Sequence, residues 1–494
     1  MGSILKKEIY KEKYRPQVHF SPIENWINDP NGLVYHDGIY HLFYQYNPRG
    51  DMWGNIRWGH ATSTDLLHWR HQPVAIKAKS NQDALIFSGG AVHDFKNTSG
   101  LGVAGQSPLV ALYTHSGQHG ESQRQSLSYS LDGGIIWQDY AGNPVIPNPG
   151  LKDFRDPKVF WYEPLSLWVM LLAAGQSIYI YHSQNLISWQ FISSFGERLG
   201  AHGGDWECPD LFPLAVDGDY NSIQWVMLVS INPGAPNGGS ATQYFIGNFD
   251  GRVFSPIDRQ TRWMDYGPDS YAGVTWESEP GKLVDRVLIA WMNNWNYALN
   301  LPTSPWRGQM TLPRTLSLVN SNGVLALGSK PVSQLKTLRG ERVQIETAVF
   351  KGSGPTAPLL NSAYEIKLSL DISSCFEVLG VRFSNQLGQQ VELYLDISAE
   401  KLVIDRSKTL IDENLKNYPY SYSANCPLAD TALFDMHIVI DSCSIEVFAC
   451  NGTVVMTGLY FVEEAFDRIT LFSTKDKCRL VDGEFWPLDS VWPV

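Results

Sequence analysis

A short motif recurs through the first half of the chain and limits what that half can fold into. Ser63-Thr64-Asp65-Leu66-Leu67-His68-Trp69 returns as Ser183-Gln184-Asn185-Leu186-Ile187-Ser188-Trp189. A variant, Ser130-Leu131-Asp132-Gly133-Gly134-Ile135-Ile136-Trp137, lies between them, and Asn248-Phe249-Asp250-Gly251-Arg252-Val253-Phe254 is a degenerate fourth copy. Each copy follows a strand-like run, turns on an Asp or Asn suited to a tight bend, and in the first three ends on a Trp. Units of roughly 50–70 residues built from several short strands fit the blades of a β-propeller, and about five fit before residue 310. A generic β-sandwich has similar hairpins but does not require a recurring strand-turn-Trp element.

At 494 residues the chain is too long for one ordinary core, so two domains are expected. Helical periodicity is hard to find before residue 300. From about Val343 the alternation becomes clean: Tyr364, Ile366, Leu368, Leu370 and Ile372 share one face, and Asn451-Gly452 is a strong hairpin signal. The expectation is an all-β chain, with a five-bladed β-propeller over residues 1–310, a linker over 311–342 with a short helix at 332–338, and a β-sandwich over 343–494. The 17 Trp, 23 Tyr and 21 Phe must fill layered β cores or line a surface that stacks on sugar rings. A net charge of −12 argues against a nucleic-acid or anionic-membrane partner. Near Lys6 and Lys7 no apolar signal segment follows, and the six cysteines show no metal spacing, so a cytoplasmic protein is expected unless a secretion signal has been removed.

Three acids sit in segments unlike their surroundings. Asp29 lies in Trp26-Ile27-Asn28-Asp29-Pro30-Asn31-Gly32, where Pro30 stiffens the chain after the acid and Gly32 permits a turn. Asp156 lies in Arg155-Asp156-Pro157, and Glu207 in Trp206-Glu207-Cys208-Pro209. Taken singly, each reads as a surface turn, a salt-bridged turn or a strand edge. In a propeller, however, they fall into successive blades whose inner strands line one funnel, so they are expected to converge. Retaining glycoside cleavage needs an ionised carboxylate to attack the anomeric carbon and a protonated one to serve the leaving oxygen. On local sequence, Asp29 is the candidate nucleophile, Glu207 with its apolar neighbours the acid/base, and Asp156, held charged by Arg155, a grip on sugar hydroxyls.

These three segments resemble the signature motifs of glycoside hydrolase family 32, the β-fructosidases that include invertases and exo-inulinases. The likeness extends to Phe43-Tyr44-Gln45-Tyr46-Asn47-Pro48, Trp53-Gly54, Trp58-Gly59-His60, Phe87-Ser88-Gly89 and Trp291-Met292-Asn293-Asn294-Trp295, and to residues 441–448, in the same order along nearly the whole chain. The resemblance implies a five-bladed propeller followed by a β-sandwich, acting on non-reducing terminal β-fructofuranosyl units. It also implies that Asp29 is the nucleophile, Glu207 the acid/base and Asp156 the transition-state stabiliser, with Asn28, Gln45, Trp53, Ser88, Arg155 and Trp295 lining the sugar pocket. Asp210 is expected on the leaving-group side, favouring sucrose over longer fructans.

Water or a second sugar can each resolve a fructosyl intermediate. Several transferases of the family alter the Trp or the second Asn of the nucleophile motif; Trp26 and Asn31 are unaltered here, which favours hydrolysis, with sucrose and short fructo-oligosaccharides as substrates. The alternatives are a fructosyltransferase, an exo-inulinase or levanase, an arabinan-cleaving propeller and, from another class, a non-catalytic sugar-binding propeller. The chemistry calls for no metal or organic cofactor. A homodimer is compatible with the sequence, which does not fix the oligomeric state.

Overall fold

The structure, a computed structural model, describes residues 9–492, apart from 79–83, 104, 118, 278–284, 322, 411–414 and 429–431. Lys6 and Lys7 therefore lie outside the described residues.

Antiparallel meanders follow one another along the first two thirds of the chain. The first comprises Asn25–His36, Ile39–Asn47, Arg57–Ser63 and Arg70–Ile76. The second comprises Leu85–His93, Leu109–Ser116, Arg124–Ser130 and Gln138–Asp139, and the third Phe154–Tyr162, Leu167–Ala174, Ile178–Ser183 and Gln190–Phe195. Asp205–Val216, Asp219–Asn232, Ala241–Phe249 and Phe254–Pro256 form the fourth; Tyr271–Thr275, Val287–Trp291, Arg314–Ser321 and Val324–Pro331 form the fifth. The leading strands of these meanders touch in cyclic order, each beside the next and the fifth beside the first. A ring of five sheets around a common axis is a five-bladed propeller. Trp306–Arg307 pairs in parallel with Asn25 and Trp26, so a late segment closes on the first blade.

Burial follows from that arrangement. The inner strand Phe154–Tyr162 is buried along nearly its whole length, whereas the outer strand Gln190–Phe195 is largely solvent-facing. The repeated motif forms the turn between the third and outermost strands of the first four blades. Ser63 Oγ accepts from Leu66 N at 2.9 Å and Asp65 Oδ1 from His68 N at 2.8 Å. In the other copies Asp132 Oδ1 accepts from Ile136 N, Asn185 Oδ1 from Ser188 N, and Asp250 Oδ1 from Val253 N. Trp137 and Trp189 donate their indole N–H back into the same turn, to Gly134 O and Leu186 O.

The segment 311–342, expected as a linker, does not act as one: Arg314–Ser321 and Val324–Pro331 are the outer half of the fifth blade. The blade needs those strands because Tyr271–Thr275 and Val287–Trp291 would otherwise leave an unpaired edge. The short helix is a 3₁₀ segment at Ser333–Leu338.

In the C-terminal part the 20-residue strand Arg468–Pro487 pairs with Val349–Pro358 and Val378–Ser384 through its first portion. Its second portion pairs with Tyr364–Asp371 and Val343–Gln344. The alternating face Tyr364, Ile366, Leu368, Leu370 and Ile372 is buried in the resulting core. Asn451 and Gly452 both take positive φ in the turn between Ser444–Ala449 and Val454–Leu459, as the Asn-Gly pair predicts. A disulfide joins Cys375 to Cys478, a pairing that the cysteine spacing did not signal.

Charged groups, fully buried, staple this part to the propeller. His19 meets Asp441 at 2.7 Å and Glu446 at 2.8 Å, and Arg314 bridges Glu446 and Asp265. Arg406 reaches Asp269 at 3.0 Å, and Asp269 also accepts from Tyr297.

Candidate active site

The five inner strands share one irregularity. Their pairing with the second strand of each blade slips between Ile27 and Pro30, Ile86 and Gly89, Arg155 and Lys158, Glu207 and Asp210, and Tyr271 and Val274. Each slip is a β-bulge, and a bulge re-aims the side chains around it. The bulged pairs are Asn28-Asp29, Phe87-Ser88, Asp156-Pro157, Cys208-Pro209 and Ala272-Gly273, so Asp29, Ser88 and Asp156 sit within a bulge and Glu207 and Tyr271 stand directly before one. Asp156, Cys208 and Ala272 sit at φ of 63°, 46° and 54°. Non-glycine residues in that region cost on the order of 1–3 kcal/mol each and cluster at functional sites. Proline after the bulged residue is compatible because the ladder is interrupted there.

The bulges bring the three acids together at one end of the ring. They line a 530 Å³ pocket shared with Asn28, Gln45, Trp53, Ser88, Arg155 and Trp295. Asp29 Oδ2 accepts from Ser88 Oγ at 2.8 Å, while Oδ1 lacks a well-formed hydrogen bond. Asp156 Oδ2 accepts from the backbone N of Cys208 at 3.0 Å, and the Cys208 thiol stands 3.7 Å from Asp156 and 3.8 Å from Asp29. Glu207 receives Arg155 Nε at 3.2 Å on one oxygen and the Tyr271 hydroxyl on the other.

Burial dominates the electrostatics. It lifts the Asp29 carboxyl from 3.8 to about 6, helped by the charge of Glu207 and opposed by Ser88 and Asn28. Asp156 is raised as well: burial outweighs the pull of Arg155, and the negative charges of Glu207 and Asp29 add to it. Both outcomes differ from the sequence expectation that these two acids stay readily ionised, because the funnel removes water that a surface turn would keep. The surroundings of Glu207 differ too. Trp206 turns into the hydrophobic core and Cys208 toward the two aspartates, which leaves Glu207 among the polar groups of Arg155 and Tyr271. The Cys208 thiol is held well above its ordinary value by burial and the nearby acids, so it stays protonated as a weak donor.

The two residues flanking the nucleophile motif act through their neighbours. Trp26 Nε1 donates to Asn28 Oδ1 at 2.7 Å. Asn31, with its amide oriented to satisfy its surroundings, accepts from Gln45 Nε2 at 2.9 Å and donates to Ser88 Oγ at 3.1 Å.

Asp210 is a correction. It is fully buried below the pocket floor, where its Oδ2 accepts from Thr275 N and Thr275 Oγ1 and lies 3.4 Å from Lys158 Nζ. Directly after the bulged pair, the strand turns the Asp210 side chain toward the central axis, so it joins inner strands rather than lining the pocket. Sequence reasoning also missed Tyr271, Asp153 and the wall formed by His119, Glu121 and Lys152. Tyr271 was discoverable: it occupies in blade five the position of Glu207 in blade four. The wall residues lie in loops with no motif to mark them.

Comparison with known proteins agrees with this geometry. Residues 19–329 match the glycosyl hydrolases family 32 N-terminal domain, and residues 334–487 the glycosyl hydrolases family 32 C-terminal domain. The chain is 42% identical to a levanase of Bacillus subtilis (strain 168), over 98% of this chain and 72% of that protein. It is 38% identical to an extracellular exo-inulinase of Aspergillus niger, over 98% and 96% of the two chains. Invertase 2 of Saccharomyces cerevisiae is 37% identical, over 91% and 89%. The crystal structure of an exo-inulinase from Aspergillus awamori superposes with a TM-score of 0.91 at 36% identity, covering 98% of this chain and all of the other. The chain is therefore a glycoside hydrolase and belongs to family 32.

Proposed function

We propose that the protein is a retaining β-fructofuranosidase that releases terminal non-reducing β-D-fructofuranosyl residues by hydrolysis, from sucrose, fructo-oligosaccharides and fructan ends. The observation that carries this reading is the convergence of Asp29, Asp156 and Glu207, from three blades, on one pocket. Asp29 attacks the anomeric carbon through Oδ1, the oxygen without a well-formed hydrogen bond, while Ser88 holds Oδ2. Glu207 gives a proton to the leaving oxygen and then takes one from water, restoring the acid as the fructosyl ester breaks. Arg155 and Tyr271 fix the Glu207 carboxyl for both steps. Asp156, anchored by the Cys208 amide, grips fructose hydroxyls beside the reacting centre. The intact Trp26 and Asn31 support water as acceptor, since they hold Asn28, Gln45 and Ser88 around the nucleophile.

Chromatography of the products from concentrated sucrose tests this reading. Equal glucose and fructose are expected; excess glucose with kestose-type trisaccharides would make the enzyme a transferase. Asp29→Ala and Glu207→Ala are each expected to abolish fructose release with the fold intact, and near-full activity in either variant would overturn the assignment.

A further inference from the structure

The propeller has a second mouth. At the end of the ring opposite the three acids, the far ends of the inner strands enclose a cavity of 680 Å³, larger than the catalytic pocket. The two do not communicate freely, because a buried ion cluster fills the axis between them. Lys158 Nζ lies 3.4 Å from Asp210 and 3.1 Å from Glu277, and Arg286 approaches Glu277 at 3.4 Å. Glu277 and Arg286 form the inner wall of the far cavity.

Its lining combines rings with polar edges. Tyr35, Trp161, Tyr220 and Trp225 contribute aromatic surface, and Asp285 and Glu163, which accepts from the Trp161 indole N–H, add carboxylates. Tyr220 is 65% exposed, so its ring is open to a stacking partner at the edge of the cavity that it lines. The size lies within the roughly 300–1,000 Å³ range of ligand sites, which combine apolar walls with a few directed polar groups. Glu277 is balanced by Lys158 and Arg286 within the ion cluster, so with Glu163 and Asp285 the charges around the cavity nearly cancel and select neither an anion nor a cation. A neutral polyol with flat C–H faces and many hydroxyls satisfies both the rings and the acids.

We propose that this far mouth is a second carbohydrate site, which holds a fructan chain at a distance from the catalytic pocket. The proposal rests on the β-fructofuranosidase reading above and deepens it toward polymeric substrate. A chain held here keeps its ends at high local concentration near the enzyme without occupying the site that cuts them. Sucrose, with a single fructosyl unit, gains nothing from the tether.

The test compares the wild type with Tyr220→Ala and with Tyr220→Ala/Trp161→Ala. In native gels containing levan or inulin, with excess free fructose to fill the catalytic pocket, the wild type is expected to be retarded and both variants less so. On long fructan the variants should show a roughly 3- to 10-fold higher KM at unchanged kcat, the loss of a stacking contact or two, with sucrose kinetics unchanged. Equal retardation and equal KM on fructan in the Tyr220→Ala variant would overturn the proposal. So would quenching of tryptophan fluorescence by choline but not by fructan, which would assign the site to a cation. Tyr220→Ala, a surface change, carries the test alone if the double variant fails to fold. A wild type that is retarded by fructan yet releases no fructose from any substrate would sink the catalytic reading and leave this site standing.

Discussion

Asp29 shows what the pocket asks of a single residue. Its carboxyl must be ionised to attack, yet burial raises it from 3.8 to about 6. The fructose-releasing rate at low substrate is therefore expected to fall as pH drops through about 6, well above the range of an ordinary aspartate, and a kcat/KM profile with its acid limb near 4 would contradict this. The same shift bears on stability. A carboxyl whose folded value is raised costs nothing below 3.8 and its full penalty above about 6, where the lift corresponds to about 3 kcal/mol. Asp29→Asn should accordingly raise Tm at pH 8 and leave it unchanged near pH 3.5, while abolishing turnover; calorimetry at the two pH values checks both. Tyr271 offers a subtler test. Removing its hydroxyl takes one hydrogen bond from Glu207, worth about 1.5–3 kcal/mol in the second step, where Glu207 is the carboxylate that takes a proton from water. Tyr271→Phe should thus lower kcat by roughly 10- to 100-fold, with little change in KM, in steady-state kinetics on sucrose.

At the scale of the strand, the bulge is the functional device, and what surrounds it is tightly filled. Gly32, three residues after Asp29, has φ of +54°, and a Cβ there would stand 2.7 Å from the Trp58 ring and 2.8 Å from Phe43. Gly32→Ala combines backbone strain with overpacking, so it should destabilise by about 3 kcal/mol and reduce kcat by displacing the strand that carries the nucleophile. Urea denaturation and kinetics on one preparation would reveal either effect alone. The outer turns behave differently. Asp132→Ala removes the acceptor for Ile135 and Ile136 N–H in the second blade, far from the pocket. A loss of about 1 kcal/mol with unchanged kcat and KM is expected.

For the whole molecule, the seam between propeller and sandwich is the titrating element. Burial alone would lower the affinity of His19 for its proton, but Asp441 and Glu446 overcome it and raise the imidazole to about 9. Glu446 is likewise resisted by burial yet held down to about 2, chiefly by Arg314 and His19. The histidine's contribution is complete below 6.5 and lost as pH rises through about 9. That of Glu446 is complete above 4.5 and lost as pH falls through about 2. The seam should therefore be firmest between pH 4.5 and 6.5, and thermal unfolding across pH should show it. His19→Ala leaves two buried carboxylates short of a partner and should cost about 3–5 kcal/mol near pH 6, with a smaller loss at pH 10.

Much of this was readable in the residues themselves. The Ser-x-Asp/Asn turn with its Trp is a local solution to a local problem, satisfied by hydrogen bonds within a few residues, so its recurrence announced the blades. Asp29, Asp156 and Glu207 stood out because prolines and glycines beside them betray unusual backbone. The outer strands of blade five read as a linker because their hairpin, Arg314–Ser321 with Val324–Pro331, joins the blade only through Val287–Trp291, well back in the chain, and pairing at that distance leaves no mark in a local pattern. Asp210 pointed the wrong way in the sequence reading for a related reason. Beside Cys208-Pro209 it looks like a pocket residue, but the bulge reverses the alternation and sends it toward Lys158. Local chemistry is written in neighbouring residues. Burial, and with it the raised carboxyls of Asp29 and Asp156, the donation of Tyr271 to Glu207 and the cavity at the far mouth, exists only once five strands from distant parts of the chain close around one axis.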